Sequence, residues 1–99
     1  MKIKPKITEI EIVPIKPKNG IVGFASFVLN DVLYLGSIAI MTKLNGGYRL
    51  VYPTKKIGDR RINIYHPIER NFSLEIEKVV IEKFENLMKK YDRYNSFDA

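Results

Sequence analysis

The chain has 99 residues, of which 28% are charged and 45% hydrophobic, a composition typical of a single globular domain. It has no cysteine and one histidine, which excludes disulfides, thiolate nucleophiles and metal sites built from several histidines. The N-terminus lacks an apolar signal core, and no apolar run reaches about 18 residues. We therefore expect a cytoplasmic protein without a membrane span.

The net charge of +6 is distributed unevenly along the chain. Residues 1–70 hold 12 Lys and Arg against 5 Asp and Glu, whereas residues 71–99 hold 5 against 6. Most of the excess lies in the N-terminal lysines and in the segment 53–61, which has four cations and one acid. Such a charge run is either a solvated surface or a surface that attracts a polyanion.

The first two thirds of the chain follow the period of β-strands. Between the last two predicted strands, residues 53–61 are predicted to form a basic loop. The segments between the strands have sequences typical of turns, and Asn19-Gly20 is the strongest turn signal among them. The predicted strands cover residues 7–15, 21–29, 32–42, 48–52 and, as a short strand or extended segment, 62–65.

The hydrophobic period then changes from 2 to 3.6 and predicts a helix over about residues 73–94, with Ser73 as its N-cap. Strands followed by one long helix indicate an α+β fold, with an antiparallel meander of four or five strands. Residues 1–6 are predicted to be a basic extension, 7–94 a single domain and 95–99 a frayed tail. The apolar stripe of the helix consists of Ile76, Val80, Phe84, Leu87 and Tyr91.

The second and third predicted strands are apolar on both faces, whereas one helix about 10–12 Å wide covers only part of one face. We therefore expect a homodimer in which a second copy covers the other face. Strict alternation in the second strand puts Ile21, Ala25, Phe27 and Leu29 opposite Val22, Phe24 and Val28. In the third strand it puts Leu33, Leu35, Ala39 and Met41 opposite Val32, Tyr34, Ile38 and Ile40.

Four blocks of the sequence occur in an order and spacing found in a known family. They are residues 7–12 (ITEIEI), 23–30 (GFASFVLN), 47–56 (GYRLVYPTKK) and 66–68 (HPI). Together they resemble the stage V sporulation protein G family of small bacterial septation regulators. The resemblance implies a β-sheet followed by a C-terminal helix, a homodimer, and site-specific binding of nucleic acid in gene regulation. Where the family loop has arginine, this chain has Lys56, which lacks the planar five-donor guanidinium.

Several cations within reach of one another suit the phosphate backbone of DNA or RNA. The candidate nucleic-acid-binding residues are therefore the cations of the predicted basic loop and two cations that flank the Gly46-Gly47 turn. They are Lys55, Lys56, Arg60 and Arg61, with Lys43 and Arg49 extending the same patch. The alternative function is a protein-interaction module whose basic loop binds an acidic partner.

Other residues that could carry chemistry have a structural explanation. No pairing of nucleophile and base, metal-ligand set or phosphate-binding glycine motif is evident, so we expect no enzyme activity, metal or cofactor. His66 is expected to fix the chain reversal before the helix by a hydrogen bond, and Asp59 and Glu69 to pair with nearby cations. Tyr48 and Tyr52 either stack on unpaired bases or pack, and packing is the more common role.

Overall fold

A computed structural model describes the backbone of residues 4–95 and the side chains of residues 4–90. The first four strands form an antiparallel meander in chain order, and the last two form a separate two-stranded sheet. The predicted α+β class, with the strands before a C-terminal helix, is confirmed. The elements are β1 (Ile7–Lys18), β2 (Ile21–Leu29), β3 (Leu33–Thr42), β4 (Tyr48–Val51), β5 (Thr54–Ile57), β6 (Arg60–Asn63) and α1 (Arg70–Asn95).

The hydrophobic core lies between α1 and one face of the four-stranded sheet. From the helix, Ile76, Val80 and Phe84 are at most 2% exposed, as the predicted apolar stripe requires. Leu87 is half-buried, and the side chain of Tyr91 lies outside the described residues. The sheet side of the core consists of Ala25, Phe27, Ile38 and Ile40.

A bulge in β3 changes which of its residues face this core. Between Leu35 and Ile38, β3 carries one residue more than the β2 segment with which it pairs, and the φ of Ser37 is 60°. The extra residue shifts the alternation by one, so that Leu35, Ile38 and Ile40 all pack on the core. The prediction that Leu35 shares a face with Ala39 was therefore wrong.

A second irregularity in the pairing of β2 with β3 has the same effect at the start of β2. Ile21 pairs with Met41 and Gly23 with Ile40, which leaves Val22 as an extra residue. Val22 packs against the core cluster, although strict alternation placed it on the opposite face. The predicted face of Val22 was therefore wrong.

The helix begins at Arg70, three residues before the predicted N-cap. The carboxylate of Glu69 accepts hydrogen bonds from the backbone N–H groups of Asn71 and Phe72, at 2.9 and 2.7 Å. These bonds satisfy two of the four N–H groups that a helix start leaves unpaired, and the negative charge favours that end of the helix dipole. Glu69 is thus the N-cap, and the prediction that Ser73 has this role was wrong.

The N-terminal segment is tied to the turn between β2 and β3. The backbone N–H of Lys6 donates to Asn30 Oδ1 at 2.7 Å, and Lys6 Nζ forms an ion pair with Asp31 at 3.0 Å. Lys2, which belongs to the predicted basic extension, lies outside the described residues, as does most of the predicted frayed tail. Within the described residues, the structure contains no helix that could span a membrane.

Candidate nucleic-acid interface

The segment predicted to be a basic loop is a β-hairpin. β5 and β6 are joined by the two-residue turn Gly58-Asp59, where Gly58 has a φ of 61°. Tight hairpin turns favour glycine at this first position because it enters positive φ without steric cost. All eight strand residues are exposed, so the hairpin projects from the body of the protein. The predicted short strand over 62–65 is observed as β6, which begins two residues earlier.

The pairing register divides the four cations of the hairpin between two faces. Residues directly opposite each other in an antiparallel pair share a face, and successive residues alternate. One face, which we call the polar face, carries Thr54, Lys56, Arg61 and Asn63. The other, which we call the mixed face, carries Lys55, Ile57, Arg60 and Ile62.

On the polar face, two cations lie directly opposite each other. Lys56 pairs with Arg61, a position at which Cβ atoms are about 4.5–5.5 Å apart and like charges repel. Arg61 Nη1 donates to Thr54 Oγ1 at 3.1 Å, which orients the guanidinium along the hairpin. Thr54 was not among the site residues predicted from the sequence.

No carboxylate forms an ion pair with these cations in the part of the chain that the structure describes. The ion pair found among the side chains of residues 4–90 joins Lys6 to Asp31, far from the hairpin in sequence. The predicted ion pairs of Asp59 and Glu69 were therefore wrong, since Glu69 caps α1 instead. The positive charge of the hairpin is thus left available to an anion in solution.

On the mixed face, each cation has an isoleucine directly opposite. Lys55 pairs with Ile62 and Arg60 with Ile57, so the two cations are diagonal neighbours about 7–8 Å apart. Ile57 is 53% exposed and Ile62 48% exposed. Charge on this face is therefore spread among apolar side chains.

The other two candidate cations lie away from the hairpin. Lys43 belongs to the turn before β4, where its backbone N–H donates to the carbonyl of Gly47 at 3.0 Å. Arg49 is exposed near the start of β4, opposite Met41. Arg49 precedes the nearest hairpin cation, Lys55, by six residues, which corresponds to about 20 Å of extended strand. The structure thus brings the four hairpin cations together and leaves Lys43 and Arg49 at a distance.

The face of the sheet opposite α1 carries a row of apolar residues across all four strands. Val13, Phe24, Ala39 and Val51 are paired in register from β1 to β4. Their sequence neighbours on these strands, such as Ile12 and Leu50, pack on the core, so the row points away from it. Val13 is 61% and Phe24 38% exposed, whereas Val51 is half-buried and Ala39 is buried. We call this surface the open sheet face.

The tyrosines considered for base stacking are packed instead, as predicted. Tyr48 meets Phe84 edge-to-face with 5.0 Å between ring centroids, and Tyr52 meets Tyr65 at 5.9 Å. Burial, with smaller contributions from Tyr65 and Glu77, raises the pKa of Tyr52 to about 12. Burial is also the main cause that raises the pKa of Tyr65 to about 12.

Two neighbouring side chains, Tyr65 and His66, make hydrogen bonds at the chain reversal before the helix. The Tyr65 hydroxyl donates to the carbonyl of Gly36 at 2.5 Å, which joins the reversal to β3. His66 is exposed, and its Nδ1 lies 3.2 Å from the carbonyl of the next residue, Pro67. The hydrogen bond predicted for His66 is thus observed within the reversal, between its ring and the backbone of Pro67. Among the described residues, no three acidic or histidine side chains are grouped closely enough to hold a metal ion.

These features define a class of protein: a small α+β domain whose sheet is covered by a helix on one face and extended by a projecting basic hairpin. The sequence profile of the SpoVG family matches residues 5–86, which include the sheet, the hairpin and the larger part of α1. The chain belongs to the SpoVG family, as the sequence resemblance predicted. A relative from Treponema denticola, whose name is that of a septation protein, SpoVG, is 27% identical over 81 residues. The match covers 81% of this chain and 86% of the relative.

Proposed function

We propose that this SpoVG-family protein is a dimeric regulator that binds DNA or RNA through its basic hairpin, in processes such as septation and gene expression. The observation that carries the proposal is the set of four cations on a hairpin whose eight strand residues are all exposed, with no described carboxylate paired to them. Mechanistically, the protein acts by binding and not by catalysis. Its occupancy of a nucleic-acid segment changes what other machinery can reach there.

The hairpin suits a phosphate backbone for two physical reasons. Its cations replace the condensed counterions of the nucleic acid, and the released counterions drive association. Its two strands are also held in a fixed geometry by ladder hydrogen bonds, and a two-stranded ribbon fits the major groove of B-form DNA. The cations are therefore ordered before binding, which lowers the conformational entropy lost on association.

Dimerisation through the open sheet face completes the proposal. Exposed Val13 and Phe24 lie in one apolar row on the face that α1 leaves uncovered. A second copy that packs on this face removes the exposed Val13 and Phe24 from water, in the same way that α1 covers the opposite face. A symmetric pair also holds two hairpins at a fixed spacing and doubles the number of cations presented to one nucleic acid.

The decisive measurement is fluorescence anisotropy with labelled DNA and RNA over a series of salt concentrations. If about 4 to 6 phosphates are neutralised per dimer, log K against log salt has a slope of about −4 to −5 for duplex DNA. The quadruple variant K55A/K56A/R60A/R61A is expected to bind far more weakly, with a flatter slope. Selection of bound sequences from random DNA and RNA pools then identifies the preferred ligand.

A matched control separates the hairpin from net charge. The variant K16A/K18A/K89A/K90A loses the same four charges at exposed positions outside the hairpin and is expected to bind nearly as well as wild type. If wild-type protein does not bind near 100 mM salt, or if the quadruple hairpin variant binds unchanged, the proposal fails. The first of these outcomes favours the alternative, an acidic protein partner for the hairpin.

A further inference from the structure

The two faces of the hairpin differ in chemistry although they carry the same charge. Each face has two cations, but the other two residues are polar on the polar face and isoleucines on the mixed face. We infer that the polar face makes the direct phosphate contacts, with Lys56 and Arg61 as the binding pair and Thr54 as a positioning residue. This inference rests on the proposed function and assigns it to one side of the hairpin.

The placement of the cations favours the polar face. Lys56 and Arg61 occupy directly opposite positions, so both can reach one phosphate group between them. Without an anion the same placement is unfavourable, because like charges directly opposite each other repel. A bound phosphate removes this repulsion, which makes the gain on binding larger than for two cations that are farther apart.

The orientation of the Arg61 guanidinium favours the same face. One Nη1–H of Arg61 is bonded to the Thr54 hydroxyl, so the side chain is held in one direction along the hairpin. The remaining N–H groups form the planar fork that binds two phosphate oxygens at once. Part of the side-chain entropy of Arg61 is therefore lost before the ligand arrives, and less is lost on binding.

The mixed face has a composition that suits phosphate less well. Lys55 and Arg60 are diagonal neighbours with Ile57 and Ile62 between them. A phosphate group brought against this face meets two apolar side chains that offer it no hydrogen bond. Lys55 and Arg60 therefore act through the long-range field of the hairpin, which salt screens within about 10 Å at 0.1 M.

Two double variants test the assignment because they remove equal charge from the same hairpin. K56A/R61A strips the polar face, and K55A/R60A strips the mixed face. In anisotropy titrations at about 100 mM salt, we expect K56A/R61A to weaken binding at least about 30-fold and, because it removes four cations per dimer, to reduce the magnitude of the salt slope by about 3.6. For K55A/R60A we expect a loss below about 5-fold and a slope change below about 0.5.

The positioning role of Thr54 has its own readout. Thr54→Val keeps the shape of the side chain and removes the hydroxyl that holds Arg61. We expect it to weaken binding about 3-fold to 10-fold in wild type and to have no effect when Arg61 is already alanine. An equal loss in both backgrounds would show that Thr54 acts independently of Arg61.

The outcomes distinguish this inference from the proposed function. Equal losses in the two double variants, or a larger loss in K55A/R60A, overturn the assignment to the polar face while leaving the hairpin as the binding element. Failure of wild-type protein to bind overturns both. Circular dichroism and urea unfolding check that each variant folds. If an alanine pair disturbs the hairpin, K56Q/R61Q and K55Q/R60Q make the same comparison with polar side chains of similar length.

Discussion

The body of the protein and its hairpin use antiparallel pairing in opposite ways. In the body, Phe27, Ile40 and Phe84 are at most 1% exposed, and their burial from water stabilises the fold. In the hairpin, every strand residue is exposed, so pairing there holds side chains in position without building a core. The difference implies that substitutions in the body change stability and substitutions in the hairpin change binding.

The hairpin depends on the body for its order. Two strands of four residues are marginally stable by themselves in water. Here the base of the hairpin is closed by a hydrogen bond of 3.0 Å from the N–H of Ile64 to the carbonyl of Pro53. Tyr52 and Tyr65, which flank this closure, pack against each other and against the core. The body thus anchors both ends of the hairpin.

The largest effect on stability is expected for Phe84→Ala. Phe84 is 1% exposed, lies against Tyr48 and is at the centre of the core, so truncation leaves a cavity. We expect the free energy of unfolding to fall by about 3–5 kcal/mol, measured by urea titration. The hairpin variant K56A/R61A serves for comparison, and it should change the free energy of unfolding by less than about 0.5 kcal/mol. A loss below about 1 kcal/mol for Phe84→Ala would contradict this view of the core.

Phe24→Glu tests the open sheet face. Phe24 lies in the apolar row and does not contribute to the core, so the fold should tolerate glutamate there. An unpaired carboxylate in a dimer interface is costly, and we expect self-association at least about 100-fold weaker by analytical ultracentrifugation. The matched control is Leu74→Glu, which adds the same charge at a 53% exposed site on α1. A monomeric wild type, or a dimeric Phe24→Glu, would place the dimer elsewhere or exclude it.

Glu69→Ala addresses the start of α1, with a smaller expected effect. Its carboxylate satisfies two backbone N–H groups, and loss of an N-cap costs about 0.5–2 kcal/mol. Ser73→Ala, at the position that the sequence favours as the cap, should cost less than about 0.5 kcal/mol. Urea unfolding of both variants gives the comparison. Equal losses would show that Ser73 also contributes to capping.

The period of the hydrophobic residues was sufficient to predict one part of the fold. The order of strands and helix, and the burial of Ile76, Val80 and Phe84, needed only the change of period from 2 to 3.6. The faces of β3 were not predictable because a bulge at Ser37 depends on a positive φ that serine does not favour. The start of α1 was missed because glutamate is not among the preferred N-cap residues.

The candidate site could also be predicted only in part from the sequence. Residue type and charge identified the cations of the hairpin, but assigning them to faces requires the pairing register. A local signal for the hairpin was present, since Gly-Asp is one of the dipeptides that favour a two-residue hairpin turn. The role of Tyr65 depends on its contact with Gly36, 29 residues away in sequence, which no local pattern reveals.

The stability of the protein at high pH depends on Tyr52, which lies at the junction between the body and the hairpin. Burial raises the pKa of Tyr52 to about 12, whereas an unfolded tyrosine titrates near 10. Between these values the native protein keeps the phenol proton that the unfolded chain has lost, so stability is fully present below pH 10 and falls as pH rises towards 12. Urea titrations from pH 9 to 11.5 should therefore show a steeper decline for wild type than for Tyr52→Phe.

The same substitution is expected to be almost neutral at pH 7. The buried Tyr52 hydroxyl has no hydrogen-bond partner among the described residues, so its removal breaks no bond and leaves no unpaired group. Tyr34→Phe is the control, since Tyr34 is 68% exposed and this variant also loses one phenol group. If Tyr52→Phe and wild type lose stability in parallel above pH 10, Tyr52 is not protected from solvent. The junction would then be open, and the hairpin would be less firmly anchored than its contacts indicate.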